Sequence, residues 1–226
     1  ARLAASRPLP LARLGLGWLQ ARTVATDADH AALLVLLDAE AEPLRPEILF
    51  WLRRTLGAAP EFRPEWLLAF LDSRFPDARA EGLRWFRAEA KAREDVTLWQ
   101  RLLESPHDEI RLALAADLEA RLSAAPDPLD LAGTLDPDRL RLLWASVLLN
   151  VQRGGRVKPG VIGQVARRLG QRPQEAAELL PLLTVGLRSL RGPERRAALA
   201  AIVRLVENHP DAAPLVRGGI PELQWA

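Results

Sequence analysis

The sequence predicts an all-α protein, an α-solenoid of about five to six antiparallel helical hairpins. Two observations predict this fold. In residues 98–122, apolar residues recur at helical spacing on both sides of a break at Ser105 and Pro106, as in two helices joined by a short turn. Related patterns recur at spacings of 34 and 32 residues, and a single hairpin of this size cannot cover its own apolar face. We therefore expect the hairpins to stack side by side around a continuous core.

The repeat is defined by a leucine that ends the first helix and an arginine that opens the second, eight residues later. The positions three, four and seven residues after the arginine are apolar or small, and they share one helical face. The three pairs are Leu37 with Arg45, Leu71 with Arg79, and Leu103 with Arg111. The positions predicted to be buried are Ile48, Leu49, Leu52, Gly82, Leu83, Phe86, Leu114, Ala115 and Leu118.

Two later pairs fit the repeat with a connection that is two residues shorter. They are Leu135 with Arg141 and Leu190 with Arg196, and a looser unit lies between them. Residues 1–25 are predicted to form an N-terminal capping helix, residues 26–208 the helical repeat domain, and residues 209–226 a C-terminal loop or tail. The tail is predicted from its prolines and glycines, which are typical of loops.

The segment SPHDEIRLALAADL, from Ser105 to Leu118, resembles the HEAT-repeat family. It has an acidic turn and then Arg111 ahead of a second helix rich in small apolar residues, and the resemblance covers about residues 30–207. A spacing of 34 residues would also suit a tetratricopeptide array, but the Trp, Gly, Tyr and Pro pattern of that family is missing. The resemblance implies a superhelix whose concave surface is lined by the second helices and binds another protein.

The composition excludes several classes of protein. The chain has no cysteine, which excludes disulfides, thiolate catalysis and cysteine-ligated zinc. No apolar run approaches the roughly 20 residues that a membrane-spanning helix needs. The N-terminal apolar stretch is interrupted by arginines, unlike a secretory signal, so a cytoplasmic location is expected. The chain begins with alanine rather than methionine, which suggests either a processed N-terminus or a segment of a longer protein, and the segment is favoured.

Nothing in the sequence predicts catalysis. His30, His107 and His209 are scattered and show no metal-ligand spacing, and no serine lies in a recognisable nucleophile motif. The carboxylates fall at turns and helix starts, where capping and the helix dipole explain them. No catalytic residue, metal site or cofactor is predicted, and a non-enzymatic function is favoured.

Positive charge is concentrated in the second half of the chain. Residues 139–208 contain 13 Arg or Lys against four acidic residues, whereas residues 1–138 contain 17 against 23. The loop from Arg153 to Gly160, with its glycines and three basic residues, is the best local candidate for holding a phosphate or carboxylate. The candidate anion- or partner-binding residues are Arg153, Arg156, Lys158, Arg167, Arg168, Arg195 and Arg196.

Two functions therefore remain open from the sequence. The favoured one is a scaffold or adaptor that binds a protein partner. The alternative is nucleic-acid binding through the basic second half. Trp85, flanked by Arg84 and Arg87, could stack on a base or on an arginine-rich partner surface, but packing in the core is the favoured role of its ring. A HEAT-like fold of this size also resembles the alkylpurine DNA glycosylases, which are enzymes, but their aromatic pocket with an aspartate and an arginine has no counterpart here.

Overall fold

The computed structural model describes residues 1–124, 137–150 and 155–223. Within these ranges every regular element is helical and no strand is present, which confirms the all-α prediction. The described chain divides into two compact units, 1–98 and 99–226, so the predicted repeat domain 26–208 spans both. Among the described residues, none of the helices combines the length and hydropathy that crossing a lipid bilayer requires.

The helices are numbered here in chain order. Up to the boundary between the units they are α1 (Leu9–Gln20), α2 (Asp27–Leu33), α3 (Arg45–Gly57), α4 (Pro64–Leu71), α5 (Pro76–Ala88), α6 (Ala90–Glu94) and α7 (Val96–Leu103), which contains the boundary. Beyond it they are α8 (Asp108–Ala124), α9 (Pro137–Leu149), α10 (Lys158–Gln171), α11 (Ala176–Leu187), α12 (Gly192–Asn208) and α13 (Ala213–Gly219).

The starts of the helices follow from local chemistry. Many of them have proline in their first turn, where the missing N–H would have no intrahelical partner anyway. Helix α2 instead begins with a capping box, in which Thr26 Oγ1 accepts the N–H of Asp29 at 3.1 Å. The Asp29 carboxylate accepts the N–H of Thr26 in return, also at 3.1 Å.

In the first unit, α5 packs against both α3 and α4. A 3-10 helix, Leu34–Asp38, follows α2 directly and packs against α3 and α4. The shared core is made of fully buried aliphatic and aromatic side chains: Leu36, Ile48, Leu52, Leu67, Phe70 and Phe86.

In the second unit the helices contact one another in an alternating pattern. Helix α10 packs against both α8 and α12, while α11 packs against both α9 and α13. Consecutive helices also touch, because α10 contacts α9 and α11, and α11 contacts α12. The connection from α11 to α12 is short, so these two form an antiparallel pair.

The arginines that define the repeat are structural. Each is almost fully buried, and each donates a hydrogen bond to the backbone carbonyl six residues upstream, in the turn between two helices. The pairs are Arg45 with Ala39, Arg79 with Ser73 and Arg111 with Ser105. The residues three, four and seven positions after each arginine, which were predicted to be buried, are buried except for Leu83 and Ala115, which are half-buried. These arginines therefore close the turns of the first three repeats.

The two shorter pairs differ in how they fit the predicted register. Leu135 lies outside the described residues, but Trp144 and Leu148, three and seven residues after Arg141, are buried in α9 as the repeat predicts. In α12 the position three residues after Arg196, Leu199, is 40% exposed, whereas Ala198 and Ile202 are buried. Leu190 ends no helix and is fully exposed. The pair of Leu190 and Arg196 therefore does not follow the register.

The predicted loop at residues 209–226 contains a helix. A 3-10 turn, Pro210–Ala212, leads into α13, which packs against α11 and α12 and buries Val216 completely. Pro214 lies in the first turn of α13, where proline is compatible with a helix. Pro210 and Pro214 therefore start helical segments, and apolar burial holds α13 in place.

Candidate functional site

A groove runs between α10 and α12 in the second unit, with a volume of about 530 Å³. Its walls are made of small residues. Those on α10 are three, four or seven residues apart, and on α12 Ala200 and Ala201 follow Ala197 by three and four residues, so each set lies on one helical face. Those on α10 are Gly163, Ala166 and Gly170, and those on α12 are Ala197, Ala200 and Ala201. The groove is thus shallow-walled and mainly apolar, with room for another chain to approach both helix backbones.

The packing of this chain does not require the glycines of the groove. A Cβ atom on Gly163 or Gly170 would meet no atom within 4 Å beyond its own stretch of helix. Glycine in the interior of a helix nevertheless costs about 0.5–1 kcal/mol relative to alanine. Gly186 in α11 is different, because a Cβ there would lie 2.8 Å from Ile162 Cδ1 and 3.2 Å from Ala198 Cβ.

We expect Gly163→Ala to raise the free energy of unfolding of the isolated protein by about 0.5–1 kcal/mol, since the helix gains propensity and nothing clashes. Gly186→Ala should lower it by about 1–3 kcal/mol, because the added methyl group overpacks the contact with Ile162 and Ala198. Chemical denaturation followed by circular dichroism measures both. A destabilising effect of Gly163→Ala equal to that of Gly186→Ala would show that the groove is closed in solution.

Polar side chains stand at the rim of the groove. Arg204 is exposed and forms no hydrogen bond or ion pair with any residue of the described ranges. Arg167 lies on the facing helix and forms an ion pair with Glu119 of α8. Asn208 and His209 line the end of the groove. The rim therefore has one uncompensated positive charge and two groups that can form hydrogen bonds.

The basic residues of the predicted anion-binding loop are partly engaged within the protein. Lys158 Nζ donates a hydrogen bond to the backbone carbonyl of Leu148 at 2.9 Å. Arg156 is exposed, and its guanidinium lies 3.9 Å from the Asp108 carboxylate. Arg153 lies outside the described residues. Neither Arg156 nor Lys158 lines the groove.

The other predicted basic residues divide into three kinds. Arg168 is only 2% exposed, and its guanidinium makes two hydrogen bonds of 2.7 Å with the Glu175 carboxylate, so it is a structural residue and not a surface one. Arg167 lines the groove. Arg195 and Arg196 are exposed and unpaired within the described ranges, but they lie outside the groove. The predicted residues therefore do not converge on one surface.

Other candidates from the sequence are part of the core. Trp85 is 3% exposed and packs edge-on against Phe62 and Phe70, so its indole ring cannot stack on a base. His30 is buried beside Trp66. Within the described ranges no group of three or more His, Cys, Asp or Glu side chains could hold a metal ion.

Sequence reasoning missed the small residues of the groove and did not single out Arg204. The spacing of Gly163, Ala166 and Gly170 was visible, but small residues on a helix also occur in ordinary cores. Only the three-dimensional structure shows that these residues face an open groove and that no side chain of the described residues fills it.

No protein-family model matches this chain, and no curated protein or solved structure matches it either.

Proposed function

We propose that this chain is a non-enzymatic, HEAT-like α-solenoid scaffold that binds a protein partner. The observation that supports it most strongly is the groove between α10 and α12. It is apolar, open and lined by glycines that packing within the chain does not need. The burial and backbone contacts of Arg45, Arg79 and Arg111 at 34- and 32-residue spacing support the repeat architecture.

The chemistry of the groove indicates the kind of partner. Its small walls suit a helix that presents alanine or similarly small side chains, since two helices approach closely only where neither has bulky residues. The unpaired charge of Arg204 favours a carboxylate on that helix. We therefore propose that the partner segment is an acidic amphipathic helix laid along α10 and α12.

A titration with a designed peptide tests this proposal. The probe is a fluorescein-labelled helical peptide with alanine on one face and glutamate beside it, measured by fluorescence anisotropy at physiological salt. We expect saturable binding that is lost when Gly163→Leu fills the groove, and that weakens about five-fold in Arg204→Met. Arg196→Met is the matched control, because Arg196 is exposed and unpaired on the same helix but lies outside the groove.

A parallel titration with a nucleic-acid duplex tests the alternative function. Nucleic-acid binding predicts affinity for a DNA or RNA duplex that falls steeply with salt and that drops when Arg195 and Arg196 become alanine. The scaffold proposal predicts no duplex binding at physiological salt. Duplex binding with that salt dependence, or peptide binding that Gly163→Leu leaves unchanged, would overturn the proposal.

A further inference from the structure

A second cavity lies where α10 and α12 begin and where α9 and α11 end; we name it the Glu194 pocket. Its volume is about 390 Å³. Its walls combine aliphatic and charged side chains, and those used below are Leu149, Lys158, Leu190, Arg191 and Glu194. It shares no lining residue with the groove between α10 and α12.

Glu194 is a buried carboxylate with one unpartnered oxygen. Only 3% of the residue is exposed. Its Oε2 atom accepts a hydrogen bond from the Ser189 hydroxyl at 2.5 Å, whereas Oε1 is buried and has no hydrogen-bond donor among the described residues. Among the described residues, the cationic nitrogen paired with Oε1 is Arg191 Nε, at 3.9 Å, which is beyond hydrogen-bond distance. A buried charged oxygen without a donor is unfavourable, so this atom is suited to a donor that arrives through the pocket.

The earlier turns also contain a buried charged residue, but there it is satisfied by a partner within the chain. There the buried charged residue is an arginine, and its guanidinium bonds to the carbonyl of its own turn, as in Arg79 with Ser73 and Arg111 with Ser105. In the pair α11 and α12 a carboxylate is buried in the first turn of the second helix instead.

Positive charge exceeds negative charge around the pocket. Lys158 uses one ammonium N–H on the Leu148 carbonyl, which leaves two for a ligand. The Arg191 side chain is 63% exposed, and its Nη1 atom lies 1.9 Å from where a Cβ atom on Gly155 would be, so glycine at 155 makes room for the guanidinium. Arg188 also lines the pocket, but Glu222 compensates its charge. Among the described lining residues, the cations of Lys158 and Arg191 thus face the single carboxylate of Glu194, and this surplus favours a ligand with an anionic group.

The outer wall of the pocket is aliphatic and exposed. Leu149 is 61% exposed and Leu190 is fully exposed, and both line the pocket. Their exposed side chains offer apolar surface to a ligand in the pocket. The ligand should therefore have aliphatic as well as anionic parts.

We propose that the Glu194 pocket binds an acidic, aliphatic peptide segment of a partner protein. A backbone N–H of the peptide donates to Glu194 Oε1, and an aspartate or glutamate side chain of the peptide lies between Lys158 and Arg191. An aliphatic side chain of the peptide packs on Leu149 and Leu190. The site goes beyond the groove of the proposed function and is independent of it.

A nuclear magnetic resonance titration of the whole chain tests this site. The probe is the peptide acetyl-Leu-Asp-Leu-Leu-Asp-Leu-amide, and its counterpart with asparagine for both aspartates is the control peptide. We expect the acidic peptide to shift the backbone amides of residues 189–194 and to bind at least five-fold more tightly than the control peptide. Arg191→Met should weaken binding at least five-fold. Arg195→Met, which removes the same charge four residues away and outside the pocket, should change it less than two-fold.

Further variants distinguish binding in this pocket from adhesion to exposed leucines or basic residues elsewhere on the surface. Leu190→Ser should weaken binding, whereas Leu199→Ser, at a partly exposed leucine outside the pocket, should not. Gly155→Ala displaces the Arg191 guanidinium without removing its charge, so it should also weaken binding. Gly163→Leu, which fills the groove, should leave this binding intact, so the two proposals can fail separately.

Three results would overturn the proposal. One is the absence of any shift with the acidic peptide. Another is equal weakening by Arg191→Met and Arg195→Met, which would indicate general attraction by charge. The last is a loss of stability in Arg191→Met with an unchanged peptide titration, which would mean that Arg191 serves only as an internal partner of Glu194.

Discussion

Replacing Arg45 by methionine should lower the free energy of unfolding of the first unit by about 2–3 kcal/mol. Arg45 is 4% exposed. Its Nε and Nη2 atoms hydrogen-bond both oxygens of Asp77, at 2.8 and 2.6 Å, and its Nη1 atom bonds the Ala39 carbonyl. The guanidinium also lies 3.6 Å from the centre of the Phe75 ring. Methionine fills most of the volume but leaves the buried carbonyl without its donor.

Arg74→Met is the matched control for this prediction. Arg74 lies over the same Phe75 ring, 4.6 Å from its centre, and pairs with Asp38 at 3.3 Å. Both side chains of that pair are more than 60% exposed, so water competes for each charge. Arg74→Met should therefore lower the free energy of unfolding by less than about 1 kcal/mol. Urea denaturation of the three proteins measures the difference. Equal effects of the two substitutions would contradict a turn-closing role for Arg45.

The effect of Arg45→Met should also depend on pH. The hydrogen bonds from Arg45 hold the pKa of Asp77 below its ordinary value. The unfolded chain, in which that carboxyl has a pKa of about 3.9, therefore takes up a proton first as the pH falls. The contribution of the Arg45–Asp77 pair to the free energy of unfolding is complete above the pKa of the unfolded state. It is lost as the pH falls through the lowered pKa of the folded state. The difference in free energy of unfolding between wild type and Arg45→Met should therefore be largest near neutral pH and should decrease in acid.

The three turns that Arg45, Arg79 and Arg111 close could be predicted from the sequence because one interaction recurs there. Arg45, Arg79 and Arg111 must each reach a backbone carbonyl in the preceding turn. This requirement fixes how far each arginine lies from its turn, and so where the following apolar residues lie on the helix. Leucine and arginine eight residues apart therefore marked real turns. Helix type and burial in these repeats follow from local periodicity, which sequence reveals directly.

The second half was less predictable because its arginines have several different tasks. Arg141 pairs with Asp138 and Glu178 at the surface, Arg168 is buried against Glu175, and Arg195 is exposed and unpaired within the described ranges. Sequence gives the same letter to all three. The position of a charge relative to a groove or pocket depends on which helices become neighbours, and that is a property of tertiary packing alone.

The candidate sites were hidden for the same reason. Glu194 looks like an ordinary acidic residue in the first turn of a helix, where it would compensate the helix dipole. Its burial and its unpartnered oxygen arise because α11, the end of α9 and the start of α10 surround it. Likewise, Gly163 and Ala200 become two walls of one groove only because α10 and α12 pack side by side.

A buried polar link between three helices of the second unit should be among its most sensitive points. Gln164 in α10 is 2% exposed; its Oε1 accepts the indole N–H of Trp144 in α9 at 2.9 Å, and its Nε2 donates to the Ala115 carbonyl in α8 at 3.1 Å. We expect Gln164→Leu to lower the free energy of unfolding by about 2–3 kcal/mol, because the indole N–H then stays buried without an acceptor.

A double-mutant cycle distinguishes this link from simple packing. Trp144→Phe alone leaves Gln164 Oε1 without its donor and also leaves a cavity, so it should destabilise the unit by a similar amount. In the double variant Gln164→Leu with Trp144→Phe, the indole N–H and the amide oxygen are both gone, so neither is left buried without its partner. The double variant should therefore be more stable than the sum of the single effects predicts, by at least about 1 kcal/mol. Strict additivity would mean that the hydrogen bond contributes nothing and that the two side chains act only through their volumes.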